Sequence, residues 1–472
     1  MRHGWAGHHG GGSHRARRLL IAAVLAFACV LALAPRAHGA SNMEVAVQDD
    51  PLFVGNGYYG RTKGLRQARM LGATRIRVNL SWTSVMPASQ ARARKKPRSI
   101  RWNFASYDQL VAATHGTDVR VQFALVGPAP AWATGNKKIG PYKIKARYYG
   151  EFAERVARQY NGLVDRISIF NEPNYVGWLA PLSSAPRNYR AMYLAAHGAI
   201  KRVNPSTHVL IAETSPYAIP GRATAPIDFL RKMTCSNQGL TQSRCGGLKA
   251  DGYAHHPYDF DHAPNYKFPG ADNATINTLG RLTTALDRLA RSKGLTNQTG
   301  GALDLYLTEY GYFRSGKRRV SESTRAKWMV QGFQIAQRNP RVREMLQYLL
   351  AQPAKKYRFF DTSIVSTRGT VSATFKALQR WARGAASRGQ IARAPVLAFG
   401  GGGGGGGEPP YTDPNSGASG PAPGPTDGAP TPPPPTDGTG GTSPPPTTEP
   451  PPPPPPDTCP GGTLIGGICV PF

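Results

Sequence analysis

Cysteine is scarce in this chain: there are five in 472 residues. Cys29 lies in an N-terminal apolar run. The others form two local pairs, Cys235 with Cys245 and Cys459 with Cys469, each spaced by ten. Neither pair has a His or Cys cluster beside it, which argues against a four-ligand zinc site, and no metal is expected. In an exported chain such pairs read as disulfides. Long apolar runs are also lacking. The run Leu19 to Leu33 is about 15 residues, short of the roughly 20 needed for a membrane span. It follows a basic stretch with Arg2, Arg15, Arg17 and Arg18 and precedes Ala37-His-Gly-Ala40, the layout of a secretory signal peptide over residues 1–40. Its removal would carry Cys29 away and leave no membrane span, giving a secreted product, extracellular or associated with the cell wall. No glycine-rich phosphate turn follows the first strand pattern, which argues against an open dinucleotide-binding sheet. No basic motif interleaved with aromatics is present, so no specific nucleic-acid partner is expected.

Acidic residues are few as well. The chain holds 27 Asp and Glu against 58 Lys and Arg, for a net charge of +31. Most of that sits in residues 41 to 400, which hold 53 basic and 21 acidic side chains, about +32. A field of that sign concentrates anionic partners, acidic polysaccharides among them. Beyond it, eight glycines at 400–407 open a Pro, Gly, Thr and Asp tract through residue 457. With almost no apolar side chains to bury, it reads as a disordered linker. Residues 458–472 read as a short hairpin closed by Cys459 and Cys469. Fifteen residues are too few for a carbohydrate-binding domain; the hairpin fits a terminal cap, a wall-retention signal or a docking tag.

Between these ends, short apolar runs alternate with amphipathic segments, as repeated βα units require. Strands are expected near Glu44–Val47, Arg75–Leu80, Val119–Val126, Asp165–Phe170, Val209–Glu213, Ala250–Ala254, Leu303–Thr308 and Met345–Ala351. Helices are expected over 62–71, 104–114, 147–160, 185–203, 226–234, 274–293, 322–338 and 371–387. Eight such units over residues 41–399 predict an α/β fold, a (β/α)8 TIM barrel.

Two glutamates close strand patterns. Glu172 ends Ile167-Ser-Ile-Phe-Asn-Glu and Glu309 ends Leu303-Asp-Leu-Tyr-Leu-Thr-Glu; Pro173 follows the first, Tyr310-Gly311 the second. In a parallel barrel the C-terminal strand tips build the active site, and two facing carboxylates are the minimum for acid-catalysed glycoside cleavage. The acid must hold its proton while the nucleophile stays charged, a difference that burial and a neighbouring anion supply. Asn171-Glu172-Pro173 after the fourth strand, with Thr308-Glu309-Tyr310-Gly311 after the seventh, resembles the arrangement of clan A glycoside hydrolases, in the style of family 5 or family 39. That resemblance spans roughly residues 44 to 390. It implies Glu172 as acid/base, Glu309 as nucleophile, a retaining double displacement and no cofactor.

The resemblance also implies the supporting residues. Arg77 on strand two would keep the nucleophile ionised through a charge-assisted hydrogen bond, with Arg75 the competing choice. Asn171 would bind the sugar 2-hydroxyl. Asp251-Gly-Tyr-Ala-His-His-Pro-Tyr258 resembles the His-x-Tyr element of family 5 and related clan members, making His256 and Tyr258 candidates for orienting the nucleophile and contacting sugar, with His255 as the alternative pointing residue. Trp82, Trp132 and Trp178 follow strand tips, where exposed rings make platforms for pyranose faces; each alone reads equally as core. The clan's strand-eight tryptophan is absent from Gln347-Tyr-Leu-Leu-Ala-Gln-Pro353, and Tyr348, Gln352 or Tyr357 would stand in. The expected activity is hydrolysis of O-glycosidic bonds in a poly- or oligosaccharide. The rival reading is a catalytically silent, wall-associated carbohydrate-binding protein on the same barrel.

Overall fold

A computed structural model describes residues 40–393, together with Met1, Gly4 and the strand segments 462–465 and 468–471. Eight parallel strands close into one barrel in chain order, with β1 pairing β8. They are β1 (Glu44–Gln48), β2 (Arg75–Ser81), β3 (Arg120–Val126), β4 (Arg166–Ile169), β5 (His208–Thr214), β6 (Gly252–His255), β7 (Leu305–Tyr310) and β8 (Val342–Tyr348). One principal helix follows each: α1 (Arg61–Leu71), α2 (Ala105–Thr114), α3 (Ala146–Gln159), α4 (Ala185–Val203), α5 (Pro226–Met233), α6 (Leu279–Arg291), α7 (Glu322–Arg338) and α8 (Ala373–Ser387). This is the (β/α)8 barrel that the sequence pattern predicts. Strand eight departs most from expectation, starting three residues earlier and ending at Tyr348.

The helix pattern follows from side-chain period. In α3, Tyr149, Phe152, Ala153, Val156 and Ala157 are buried, the i, i+3, i+4 stripe of a helix facing a core. Gly150 lets α3 lie close to α4: a Cβ there would stand 3.0 Å from that of Ala195. The strands alternate differently from a simple apolar run. On β2, Ile76, Val78 and Leu80 join the apolar core, while Arg75 and Arg77 are buried in polar networks.

Those networks occupy the two ends of the barrel. At the N-terminal end, Arg75 pairs with Glu44 (2.9 Å) and Asp165 (2.8 Å), and Arg166 pairs with Glu344 (2.7 Å) and lies over the Tyr306 ring. Burial raises the Glu344 carboxyl to about 7 against the pull of Arg166. Arg75 is thus a structural residue of the barrel floor. Cys235 and Cys245 form a disulfide in the segment after α5. The segments 462–465 and 468–471 pair antiparallel, with Leu464 opposite Cys469; the bond expected between Cys459 and Cys469, the linker and most of the leader lie outside the described residues.

Candidate active site

At the opposite end of the barrel, the tips of β4, β5, β6 and β7 bring Asn171, Glu172, Glu213, His256, Tyr258 and Glu309 together, and Arg77, the third residue of β2, reaches them with its side chain. The backbone bends sharply where these side chains are presented. Phe170 and Glu172 have φ of +72° and +37°, and Ala212 and Glu213 +89° and +50°. These are left-handed values that non-glycine residues adopt at a cost and that cluster at functional sites. The two bends are tied together by the Glu172 N–H, which donates to the Glu213 carbonyl at 2.9 Å.

Glu309, closing β7, is almost fully buried. Its Oε1 accepts from Arg77 Nη1 at 3.0 Å and its Oε2 from the Tyr258 hydroxyl at 3.1 Å. Burial raises its pKa above the ordinary carboxylate value. His256 and Arg77 pull it down, Glu172 and Glu213 push it up, and the balance stays upward. Arg77 is completely buried and splits its fork: Nη1 serves Glu309 and Gln48, while Nη2 donates to Asn171 Oδ1 (2.8 Å) and Glu213 Oε2 (3.2 Å). Between Arg75 and Arg77, the structure therefore puts Arg77 against the carboxylates.

The two histidines separate as clearly. His255 is buried between the Thr214 hydroxyl (2.9 Å) and the Ala274 carbonyl (2.8 Å), and burial lowers its pKa to about 3. It is a neutral structural residue. His256 has carboxylates on both sides, Glu172 Oε1 at 2.9 Å from Nδ1 and Glu213 Oε2 at 2.8 Å from Nε2. Its Nδ1 also lies 3.6 Å from Glu309 Oε2. Burial opposes charge on the ring, but Glu309, Glu172 and Glu213 push its pKa up to about 10. Each ring nitrogen faces a carboxylate oxygen, the surroundings that favour an imidazolium. Tyr258 is buried and stacks on Phe260, centroids 4.5 Å apart; burial and the Glu309 charge hold its hydroxyl well above the usual range, so it donates as a neutral phenol.

Not every expected site residue arrives here. Trp82 is fully buried, stacked on Phe152 of α3 at 5.1 Å and edge-on to Trp132 at 5.6 Å. Trp132 is also buried, its indole N–H donating to the Gln90 carbonyl. Both are core residues between barrel and helix layer, and neither offers a face to a sugar. Trp178 is half-buried against Tyr175 and Ala223 and keeps part of its surface. At the β8 tip stands Tyr348, one of the three residues expected to stand in for tryptophan. Burial and the charge of Glu309 push its hydroxyl well above its usual value.

Glu213 is the residue that sequence reasoning missed. Fully buried, its Oε2 collects Thr308 Oγ1 (2.6 Å), His256 Nε2 (2.8 Å) and Arg77 Nη2 (3.2 Å). Burial raises its pKa, but Arg77 and His256 overcome that and leave it at about 2, an anion. The signal was present: Glu213 closes the run Val209-Leu-Ile-Ala as the other two glutamates close theirs.

No protein-family model and no curated protein sequence matches this chain. Solved structures do. A family 39 glycoside hydrolase from the gut symbiont Bacteroides cellulosilyticus superposes with a TM-score of 0.54 at 16% identity over 72% of this chain; the chain spans 64% of that protein. The fold is shared with a family 39 glycoside hydrolase. Two further matches are a family 39 β-xylosidase from Caulobacter crescentus (TM-score 0.48, 15% identity, 73% of this chain and 72% of that one) and a family 39 enzyme from Xanthomonas axonopodis (0.49, 16%, 73% and 67%). At such identities the likeness concerns architecture, and chemistry has to be argued from the side chains.

Proposed function

We propose that this protein is a retaining glycoside hydrolase that cleaves O-glycosidic bonds of a poly- or oligosaccharide, with Glu172 as acid/base and Glu309 as nucleophile. The observation that carries the reading is the shared contact of both carboxylates with one imidazole nitrogen, 2.9 and 3.6 Å away. It limits the nearest oxygens of the pair to at most about 6.5 Å apart, a bound that admits the roughly 5 Å of direct nucleophilic attack. Glu309 would attack the anomeric carbon while Glu172 protonates the leaving oxygen. Water activated by Glu172 would then cleave the ester, with net retention. Arg77 and Tyr258 hold the two nucleophile oxygens in place. Asn171, with Oδ1 taken by Arg77, has its amide N–H group to offer to a sugar 2-hydroxyl.

An anionic glycan is the proposed substrate class. The loops after β2 and β3, residues 82–104 and 127–145, carry ten Lys and Arg and no Asp or Glu, a field that favours polyanions. The basic leader with its apolar run supports export, and the C-terminal tail would serve wall association. The test is a glycan panel that includes uronic-acid polymers and neutral β-glucan, xylan and mannan, assayed with wild type and Glu309→Gln. Cleavage with retained anomeric configuration, lost by roughly 10³-fold or more in the variant, is expected. Binding without cleavage by either form would favour the carbohydrate-binding reading, and inversion would overturn the nucleophile assignment.

A further inference from the structure

We propose that Glu213 is a positioning residue that acts through His256, fixing the ring as a cation whose Nδ1–H is aimed at Glu172 and so deciding which oxygen of that carboxyl carries the transferable proton. The proposal rests on the roles given above to Glu172 and Glu309. Its basis is geometric. The β5 strand carries a register irregularity against β6 between Ala212 and Thr214, and the two residues at that point, Ala212 and Glu213, both have positive φ. Bulges of this kind re-aim side chains beside active sites. Here the re-aimed side chain is a carboxylate with no solvent exposure, and every group that contacts its Oε2 belongs to the site or adjoins it: Arg77, His256 and Thr308, the neighbour of Glu309. An ordinary core carboxylate in this place would be a liability, because a buried charge is tolerated only where cations and hydrogen-bond donors surround it.

The chemistry follows from the chain Glu213–His256–Glu172. Glu213 accepts Nε2–H, so the remaining ring hydrogen lies on Nδ1 and donates to Glu172 Oε1. That oxygen, already engaged by an N–H, is the acceptor, and the carboxylic proton sits on Oε2. When this proton passes to the leaving oxygen and the glycosidic bond breaks, the electron pair left on Glu172 is stabilised by a cation already in contact with it; in the second half-reaction Glu172 recovers a proton from the attacking water. The charged and titratable groups facing His256 are Glu172 from β4, Glu213 from β5, Glu309 from β7 and, on its own segment, His255 and Tyr258. Glu213 is the one among the three glutamates to which the mechanism gives no covalent or proton-transfer step.

The first experiment uses unaltered protein: ¹⁵N shifts of the His256 ring from pH 5 to 9. Both nitrogens are expected at imidazolium values throughout, and a neutral tautomer within that range would overturn the proposal whether or not a substrate has been found. The second is Glu213→Gln on an active substrate. Expected are a roughly 10- to 100-fold fall in kcat with KM within about threefold, and a new ionisation between pH 6 and 8 as His256 loses its anion. The double variant with His256→Gln should be no slower than His256→Gln alone. Unchanged kcat and pH profile in Glu213→Gln, or additive losses in the double variant, would overturn the positioning role while leaving the glycosidase reading intact; loss of hydrolysis in wild type itself would instead remove that reading.

Discussion

Replacing Arg77 by Met separates what a buried arginine does for stability from what it does for chemistry, because Arg75, two residues earlier on the same strand, provides the control. Both are buried, at 0% and 1% exposure, and both bind two acidic partners: Glu309 and Glu213 for Arg77, Glu44 and Asp165 for Arg75. Removing one partner of a buried ion pair costs about 3–5 kcal/mol where the remaining charges stay buried, as Glu213 and Glu309 do around Arg77; the cost is smaller for Arg75, whose partners Glu44 and Asp165 are 21% and 42% exposed. In a barrel of this size that corresponds to a fall in melting temperature on the order of 5 °C for Arg77→Met and less for Arg75→Met. Their chemistry should differ. Glu309 must be ionised to attack, so activity disappears as pH falls through its pKa, which already lies above the ordinary carboxylate value. Arg77 is one of the two cations lowering it, and a charge-assisted hydrogen bond is worth about 1.5–3 kcal/mol, where roughly 1.4 kcal/mol equals one pKa unit. Arg77→Met should move the acid limb of kcat/KM upward by about one unit or more, whereas Arg75→Met should leave it in place. The assay is a pH series of kcat/KM alongside thermal denaturation of each variant. Equal limb shifts in both variants, or none in Arg77→Met, would refute the assignment of Arg77 to the nucleophile.

Three other outcomes are expected. Trp82→Ala should destabilise the fold by about 3–5 kcal/mol through the cavity left beside Phe152, with KM unchanged for the folded fraction, whereas Trp178→Ala should raise KM with little change in melting temperature. Replacing Cys235 and Cys245 by Ser should cost about 2–3 kcal/mol by releasing the loop they close, and dithiothreitol should lower the wild-type melting temperature by the same amount while leaving the variant unmoved. Gly311→Ala places a Cβ 2.5 Å from the Tyr348 carbonyl and 2.9 Å from Thr362 Cβ, which should cost about 1–3 kcal/mol and lower kcat, since the displaced backbone is two residues from Glu309.

How much of this was readable beforehand depends on which physical question each residue answers. Strand and helix positions follow from side-chain period, and the eight units were legible because their patterns are long. That Glu172 and Glu309 meet in one polar cluster was legible because each is a carboxylate at a strand tip with Pro or Gly close behind. Trp82 was not, since an indole after a strand tip reads the same whether it faces the rim or the helix layer; Phe152 and Tyr149 of α3, some 70 residues away, decide it. Arg75 and Arg77 share one face of β2 and differ in depth along the barrel, which spacing alone cannot rank. Glu213 closes its strand pattern as Glu172 and Glu309 close theirs, but Thr214-Ser215 follows it where Pro or Gly lies close behind the other two, and a bend at Ala212 and Glu213 cannot be read from residues that carry no glycine.

Charge counting explains why a third glutamate belongs in such a site. Arg77 and His256 contribute two buried positive charges. In the proposed mechanism Glu172 is protonated before reaction, so among the groups in direct contact with Arg77 and His256 the Glu309 and Glu213 carboxylates balance the two cations. After the proposed first displacement Glu309 would be a neutral ester and Glu172 would have surrendered its proton, so the contacting negative charges would again be two. That local balance would survive each half of the double displacement. Without Glu213, the same contacts would leave one positive charge uncompensated at both stages, in surroundings where net charge is strongly unfavourable. The proton changes hands between Glu172 and substrate, while the charge that Arg77 and His256 have to balance stays constant.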